Sequence, residues 1–286
     1  MITGAAGQLG RELLRSVPDD VPVLPVDITE LDLTDSAAVE SYIAEHTPGV
    51  IVNCAAYTAV DRAEEQPALA HAVNVTAAAD LARAAHRCGA RMIQISTDYV
   101  FSGETPHPWR PTDITAPQSV YGRTKRDGEL AVLVQLPGRA VVIRTAWLYS
   151  VHGGNFVKTM LRLMQEREEV RVIMDQIGSP TSARSLARTV WAAVARPEIA
   201  GILHWTDAGV ASWYDFAVAI QEESAACGLL SREIPVRAIA SVDYPTPARR
   251  PAYSVLDTTE AMRVLGETPV HWRINLRHML RELVDA

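Results

Sequence analysis

Short apolar runs alternate with helical stretches through the first 145 residues, and this alternation is what most limits the folds open to the chain. Runs at 21–27, 50–56, 91–97 and 140–145 read as strands, and a very short one ends at Thr3. Helical patterns at 36–45, at 68–88 and from about 119 lie between them. The 68–88 stretch is rich in Ala and stops at Gly89, which suits a left-handed helix end. Strands separated by helices of this length imply βαβ units and a parallel sheet. Strands apolar on both faces imply helices covering each side. The expected fold is α/β, a Rossmann-type doubly wound parallel sheet. Two details sit awkwardly with it. Only three residues precede Gly4, against about five or six in an ordinary strand, so either the first strand is unusually short or residues precede those given. Pro22 and Pro25 fit poorly in a strand that is not at a sheet edge.

The second half is less regular. Helices are expected near 156–165, 182–195, 213–227, 259–265 and 276–284, and strands near 170–174 and 202–205. A proline-rich loop spans 244–251. The expected division is a nucleotide-binding domain over 1–145, completed by about 170–204, and a smaller C-terminal substrate-binding part over 146–286.

A chain of 286 residues with 48% hydrophobic residues can bury a sizeable core. Its formal charge of −7 argues against a nucleic-acid surface, which would be basic. Three dispersed cysteines, Cys54, Cys88 and Cys227, form neither a disulfide framework nor a zinc motif. No run approaches the ~20 apolar residues of a membrane span, and no signal peptide is legible at the start. A cytoplasmic protein is the expectation.

Gly4, Gly7 and Gly10 form G-x-x-G-x-x-G where the first strand gives way to a helix. Such glycines let the backbone approach a pyrophosphate, and the helix offers it free N–H groups. Asp27 follows about 20 residues on, where an acidic residue bonds a cofactor's ribose hydroxyls. A carboxylate there favours NADH by repelling a 2′-phosphate. Arg11 offsets that, so NADPH or NADH stays open. Asp32 and Leu33 are candidates to border the adenine. Downstream, Tyr121 and Lys125 form Y-x-x-x-K, which places both on one helix face. A Lys beside a phenol is expected to lower the phenol pKa from about 10 towards working pH, making Tyr121 a proton donor to a ketone oxygen. Lys125 is also placed to bond the nicotinamide ribose. The preceding strand ends in Ser96-Thr97-Asp98, at the edge where open α/β sheets bind ligands.

These motifs, in this order, resemble the dTDP-4-dehydrorhamnose reductases, extended short-chain dehydrogenases. The resemblance rests on TGAAGQLGREL (3–13), VNCAAYTAVDRAE (52–64), STDYVFSG (96–103), SVYGRTKRDGE (119–129), IRTAWLY (143–149), GGNFVKTMLRL (153–163), DQIGSPTSA (175–183) and YPTPARRP (244–251). It implies reduction of the C4 ketone of dTDP-4-dehydro-L-rhamnose, the last step to dTDP-L-rhamnose and so to cell-surface polysaccharide. It implies Tyr121 as acid, Lys125 as its helper and Thr97 as a partner that aids proton transfer or polarises the ketone. Asp98 and Trp147 match sugar-binding positions. Gly7, Gln8, Leu9, Ala56, Tyr57 and Thr58 match cofactor contacts, and Ala55 is small enough for close approach. Asn155 and Arg250 are candidates for the nucleotide diphosphate; Arg250 reads equally as a tie for the proline-rich loop. Some members of the family hold Mg²⁺ on glutamates at a dimer interface, which brings in Glu12, Glu198 and Glu282 and a homodimer as partner. By residue type alone the three read as solvated surface acids. Two other readings resemble parts of the pattern: the non-catalytic regulatory subunit of methionine adenosyltransferase, and a sugar epimerase with tightly held NAD.

Overall fold

The computed structural model describes residues 1–105 and 107–285. Six strands run parallel in one sheet: β1 (Ile2–Thr3), β2 (Pro25–Val26), β3 (Val50–Asn53), β4 (Arg91–Thr97), β5 (Ala140–Thr145) and β6 (Gly201–His204). Their order is β6-β5-β4-β3-β1-β2. The chain therefore leaves β1 in one direction to β2 and later in the other to β3, and the strand order reverses there. A crevice opens at the carboxyl ends of strands at such a point.

Helices follow in the expected alternation: α1 (Gln8–Arg15), α2 (Ser36–His46), α3 (Val60–Glu65), α4 (Pro67–His71), α5 (Ala77–Cys88) and α6 (Val120–Gln135). One face of the sheet packs Ile51 and Met92 against Val39 and Ile43 of α2 and Leu81 of α5. The other packs Ile93, Val141 and Ile143 against Leu9 and Leu13 of α1 and against Leu186 and Val190. The latter two lie on α8 (Ala183–Val194), which follows α7 (Phe156–Glu166). A second core gathers α7, α9 (Trp213–Ala226) and α11 (Trp272–Val284) around Phe216, Met164 and Leu276. α10 (Thr259–Leu265) packs Leu265 back onto the first core.

Three expectations shift. The 21–27 strand shrinks to Pro25–Val26, because Pro22 and Pro25 have no N–H to offer a ladder. β2 is also the sheet edge, where proline is tolerated. β1 is only two residues long, yet it pairs on both sides, Ile2 facing Pro25 and Val52. The 170–174 strand is real but leaves the main sheet: Val170–Ile173 pairs with Val236–Ile239 in the C-terminal part. Of the stretch 170–204, α8 and β6 are what join the Rossmann layers.

Candidate active site

The glycine turn opens the cleft. Gly4 takes φ +65°, and a Cβ there would lie 2.7 Å from the Ala55 nitrogen. A Cβ at Gly10 would overlap the Gly4 carbonyl oxygen. Those two glycines are demanded by backbone packing. Gly7 is different: it caps α1 with no side-chain cap bond, and the nearest atom to a Cβ there is the Gly4 oxygen at 3.2 Å. The first-turn N–H groups of α1 are thus left for an anion. Asp27 Oδ2 accepts the Ala6 N–H at 2.8 Å, and Arg11 Nε donates to the Ala6 carbonyl at 2.9 Å. Asp27 and Arg11 therefore both hold the glycine turn, by its two peptide edges.

Behind the turn, a polar ladder crosses three strands. Thr3 Oγ1 donates to Asn53 Oδ1 at 2.6 Å, and Asn53 Nδ2 donates to Gln94 Oε1 at 2.8 Å. The Ala55 N–H also reaches Asn53 Oδ1, at 3.2 Å. This turns the chain after β3 so that Ala55, Ala56 and Thr58 line the cleft. Tyr57 does not line it. Its backbone is clamped by Asn74, whose Oδ1 accepts the Tyr57 N–H at 2.8 Å while Nδ2 donates to the Tyr57 carbonyl and to Thr124 Oγ1. Its hydroxyl donates to Gln66 at 3.0 Å. Asn74 sits in a π-turn, Ala72–Thr76, inserted in the long helix. Such turns are frequent at functional sites.

β4 delivers Thr97 and Asp98, and α6 delivers Tyr121 and Lys125, to the cleft floor. Ser119 caps α6 by accepting the Gly122 N–H at 3.1 Å, and Glu64 accepts the Val120 N–H at 2.7 Å. Together they fix where the helix starts, and so where Tyr121 falls. The Tyr121 hydroxyl faces Thr97. Thr97 Oγ1 donates to Asp98 Oδ1 at 2.9 Å. Lys125 Nζ donates to the Ile95 carbonyl at 2.6 Å. Glu129, the next residue along that face, is held by Arg144 through two bonds of 2.9 and 2.7 Å.

The electrostatics correct one expectation. Burial pushes the Tyr121 phenol up, to about 12, although the Thr97 hydroxyl that faces it pulls the other way. The predicted lowering by Lys125 does not occur, because the ammonium is bonded to a strand carbonyl and desolvation outweighs proximity. Burial also lowers Lys125, to about 8, against the pull of Glu129 and Cys54. A phenol in that state carries its proton throughout the neutral range.

At the far end, Trp147 holds an unusual backbone, φ +49°, and stacks on Trp213 with centroids 3.5 Å apart and planes 5° from parallel. Its ring leaves no room for a Cβ at Gly178. Asn155 lines the cleft but caps α7, and its Nδ2 donates to Gln8 at 3.0 Å. Asp32 and Leu33 line the opposite end, beyond Asp27. Arg250 is not brought to the cleft lining: it holds Asp61 with bonds of 3.0 and 2.7 Å, tying the proline-rich loop to α3. The whole cleft encloses about 960 Å³.

The three glutamates are not gathered into one group within the chain. Arg15 contacts Glu12 at 3.5 Å and Glu282 at 2.5 Å, so a guanidinium already sits against both carboxylates. Glu198 lies instead near Arg91. Among the described residues, no group of three or more His, Cys, Asp or Glu is placed to hold a metal, and Mg²⁺ demands near-octahedral oxygen ligands. The described residues also contain no helix long and apolar enough to cross a membrane.

Three contributors escaped the sequence reading, Asn74, Trp213 and the hydroxyl of Thr145, which joins that of Ser96 at the strand ends. Both hydroxyls are buried, without partners, and line the cleft. A dinucleotide fits this site. Gly7 leaves the helix start without a side chain, the α1 N–H groups are free, and these two hydroxyls lack protein partners.

A glycine turn after β1, a reversal of strand order and a Tyr-x-x-x-Lys helix beside β4 define a Rossmann-type oxidoreductase of the extended short-chain dehydrogenase class. The family model described as RmlD substrate binding domain matches residues 1–284. The dTDP-4-dehydrorhamnose reductase of Aggregatibacter actinomycetemcomitans is 42% identical, over 98% of this chain and 97% of that protein. A dTDP-4-dehydrorhamnose reductase from Clostridium acetobutylicum superposes with a TM-score of 0.94 at 41% identity, covering 100% of this chain and 99% of that one. One from Bacillus anthracis, solved in complex with NADP, superposes at 0.91 with 35% identity and 98% of each chain covered. The chain belongs to the dTDP-4-dehydrorhamnose reductase family.

Proposed function

We propose that the protein reduces the C4 ketone of dTDP-4-dehydro-L-rhamnose to dTDP-L-rhamnose, with Tyr121 as proton donor and NAD(P)H as reductant. The observation that carries this reading is the buried Tyr121–Thr97–Asp98 cluster beside Lys125, on the floor of a cleft that begins at a glycine turn. The names of the relatives supply the sugar and the nucleotide; the bound NADP of the Bacillus anthracis structure supports the cofactor.

A reduced nicotinamide, when bound, supplies a hydride to the ketone carbon. The chain's own residues do the rest. Gly7 and the α1 N-terminus hold the pyrophosphate. Asp27 bonds the ribose nearest the adenine, and Lys125 that nearest the nicotinamide. Trp147, held by Trp213, presents an apolar wall to the sugar. Tyr121, protonated at neutral pH, gives its proton to the ketone oxygen as charge develops there.

The test is direct: purified protein, dTDP-4-dehydrorhamnose and each reduced cofactor, followed at the absorbance of the reduced nicotinamide. Consumption that depends on the sugar is expected. Absence of consumption with any nucleotide-linked keto-sugar would favour a non-catalytic binding subunit.

A further inference from the structure

We propose that Asp98 is the proton reserve of the site, its carboxyl proton passing through the Thr97 hydroxyl to restore Tyr121 after each reduction. This rests on the reading of Tyr121 as proton donor and extends it from the donor to its supply.

The geometry places the Thr97 hydroxyl between Asp98 and Tyr121. Asp98 is 2% exposed. Its Oδ1 takes the Thr97 hydroxyl at 2.9 Å, and its Oδ2 is buried with no partner. Thr97 Oγ1 also accepts the Tyr99 N–H, at 3.2 Å. The hydroxyl proton of Thr97 therefore has two places to go, Asp98 or the Tyr121 oxygen that faces it. Lys125 stands outside this line, its ammonium bonded to Ile95.

The surroundings bring the carboxyl's titration up towards the neutral range, where it can both hold and release a proton. The groups facing Asp98 are Tyr99 from its own turn, Tyr121 from α6 and the Ser254 hydroxyl from the segment packed over it. Arg250 and Asp61 lie beyond Tyr99, paired to each other. Among the described residues, no Lys or Arg forms an ion pair with Asp98. A buried carboxylate without a cation is costly, so the neutral acid is favoured. Burial accordingly raises Asp98 to about 6, against the pull of the Thr97 bond and of the nearby Ser254 hydroxyl.

The step balances. Once the ketone carbon has gained its hydride, the Tyr121 O–H bond breaks and the substrate O–H bond forms. The Thr97 O–H bond then breaks as Tyr121 regains its proton. The Asp98 O–H bond breaks as Thr97 regains its own. A carboxylate is left, which takes a proton from water in the open cleft before the next turnover.

The experiment is the pH profile of kcat for the wild type, Asp98→Asn, Thr97→Val and the double variant, with dTDP-4-dehydrorhamnose and saturating NADPH. Wild-type kcat should fall as pH rises through the Asp98 carboxyl's titration, at about 6 or above once substrate displaces water. Asp98→Asn should lower kcat by at least roughly tenfold and erase that limb, with KM within a few-fold of wild type. Thr97→Val cuts the same path without touching the carboxyl, so it should also erase the limb even if Asp98→Asn fails to fold. The double variant should be no worse than Thr97→Val alone, because one path is cut twice. A rise in KM with kcat and its pH limb unchanged in Asp98→Asn would overturn the reserve and leave Asp98 a sugar contact. So would a limb that persists in Thr97→Val. Tyr121→Phe, run beside them, separates the two ideas. If it retains turnover, the donor reading itself fails; if it is inactive while the Asp98→Asn limb persists, the reserve alone fails.

Discussion

Lys125 donates to the carbonyl oxygen of Ile95 at 2.6 Å, so the ammonium is fixed by strand β4 and not by the phenol one helical turn before it. That anchor sets a first prediction. With its pKa lowered to about 8 by burial, Lys125 is charged below that pH and neutral above it. Affinity for NAD(P)H should therefore weaken as pH rises through about 8. Lys125→Met should lose about ten- to hundredfold in affinity near neutral pH, the range of a hydrogen bond to a charged group, and should lack the pH dependence. Fluorescence titration of the reduced cofactor reads both; a Met variant that binds like wild type would detach Lys125 from the cofactor.

The glycines of the turn separate by role. Gly7→Val should fold, since a Cβ there meets only the Gly4 oxygen at 3.2 Å, but it should abolish the rise in Tm that cofactor gives the wild type. That rise corresponds to about 2.7 kcal/mol at a hundredfold excess over Kd. Gly10→Ala should instead lower Tm without any ligand, by an overpacking cost of about 1–3 kcal/mol, because its Cβ overlaps the Gly4 carbonyl. Thermal melts with and without NADPH separate the two effects.

Asp27→Ala should shift preference towards NADPH, because a carboxylate that repels a 2′-phosphate is gone. The same change frees the Ala6 N–H, which Asp27 holds at 2.8 Å, so both cofactors should bind somewhat more weakly. The ratio of kcat/KM values for NADPH and NADH is the measure, and an unchanged ratio would confine Asp27 to bracing the turn.

Below the site, Arg144 and Glu129 form an ion pair with side chains 3% and 1% exposed. Arg144→Met leaves Glu129 buried and unpaired beside Lys125, a change expected to cost roughly 3–5 kcal/mol. Denaturant unfolding should show it. In the wild type, burial and Arg144 lower the neighbouring His204 to about 3, so it is neutral there.

Much of this was legible in the sequence, and what was not has identifiable physical causes. The 91–97 strand and the 259–265 helix fall where periodicity puts them, because an apolar run or an amphipathic repeat marks each locally. The π-turn that aims Asn74 at Tyr57 is invisible, since a one-residue change of hydrogen-bond register leaves an Ala-rich pattern unaltered. The Arg250–Asp61, Trp147–Trp213 and Glu12–Arg15–Glu282 contacts join residues whose encounter depends on the fold. For Tyr121, spacing correctly puts Lys125 one turn away, but burial decides the phenol's pKa, and burial is a property of the packed cleft.

The central claim is that Tyr121 gives the proton. Tyr121→Phe removes the hydroxyl and keeps the ring, which packs against Tyr99 edge-on at 5.4 Å, so folding should be preserved. Single-turnover measurement with dTDP-4-dehydrorhamnose and NADPH should find the rate of nicotinamide oxidation down by roughly two to four orders of magnitude, with the cofactor-induced rise in Tm intact. Near-normal oxidation by a folded, cofactor-binding Tyr121→Phe protein would contradict the account.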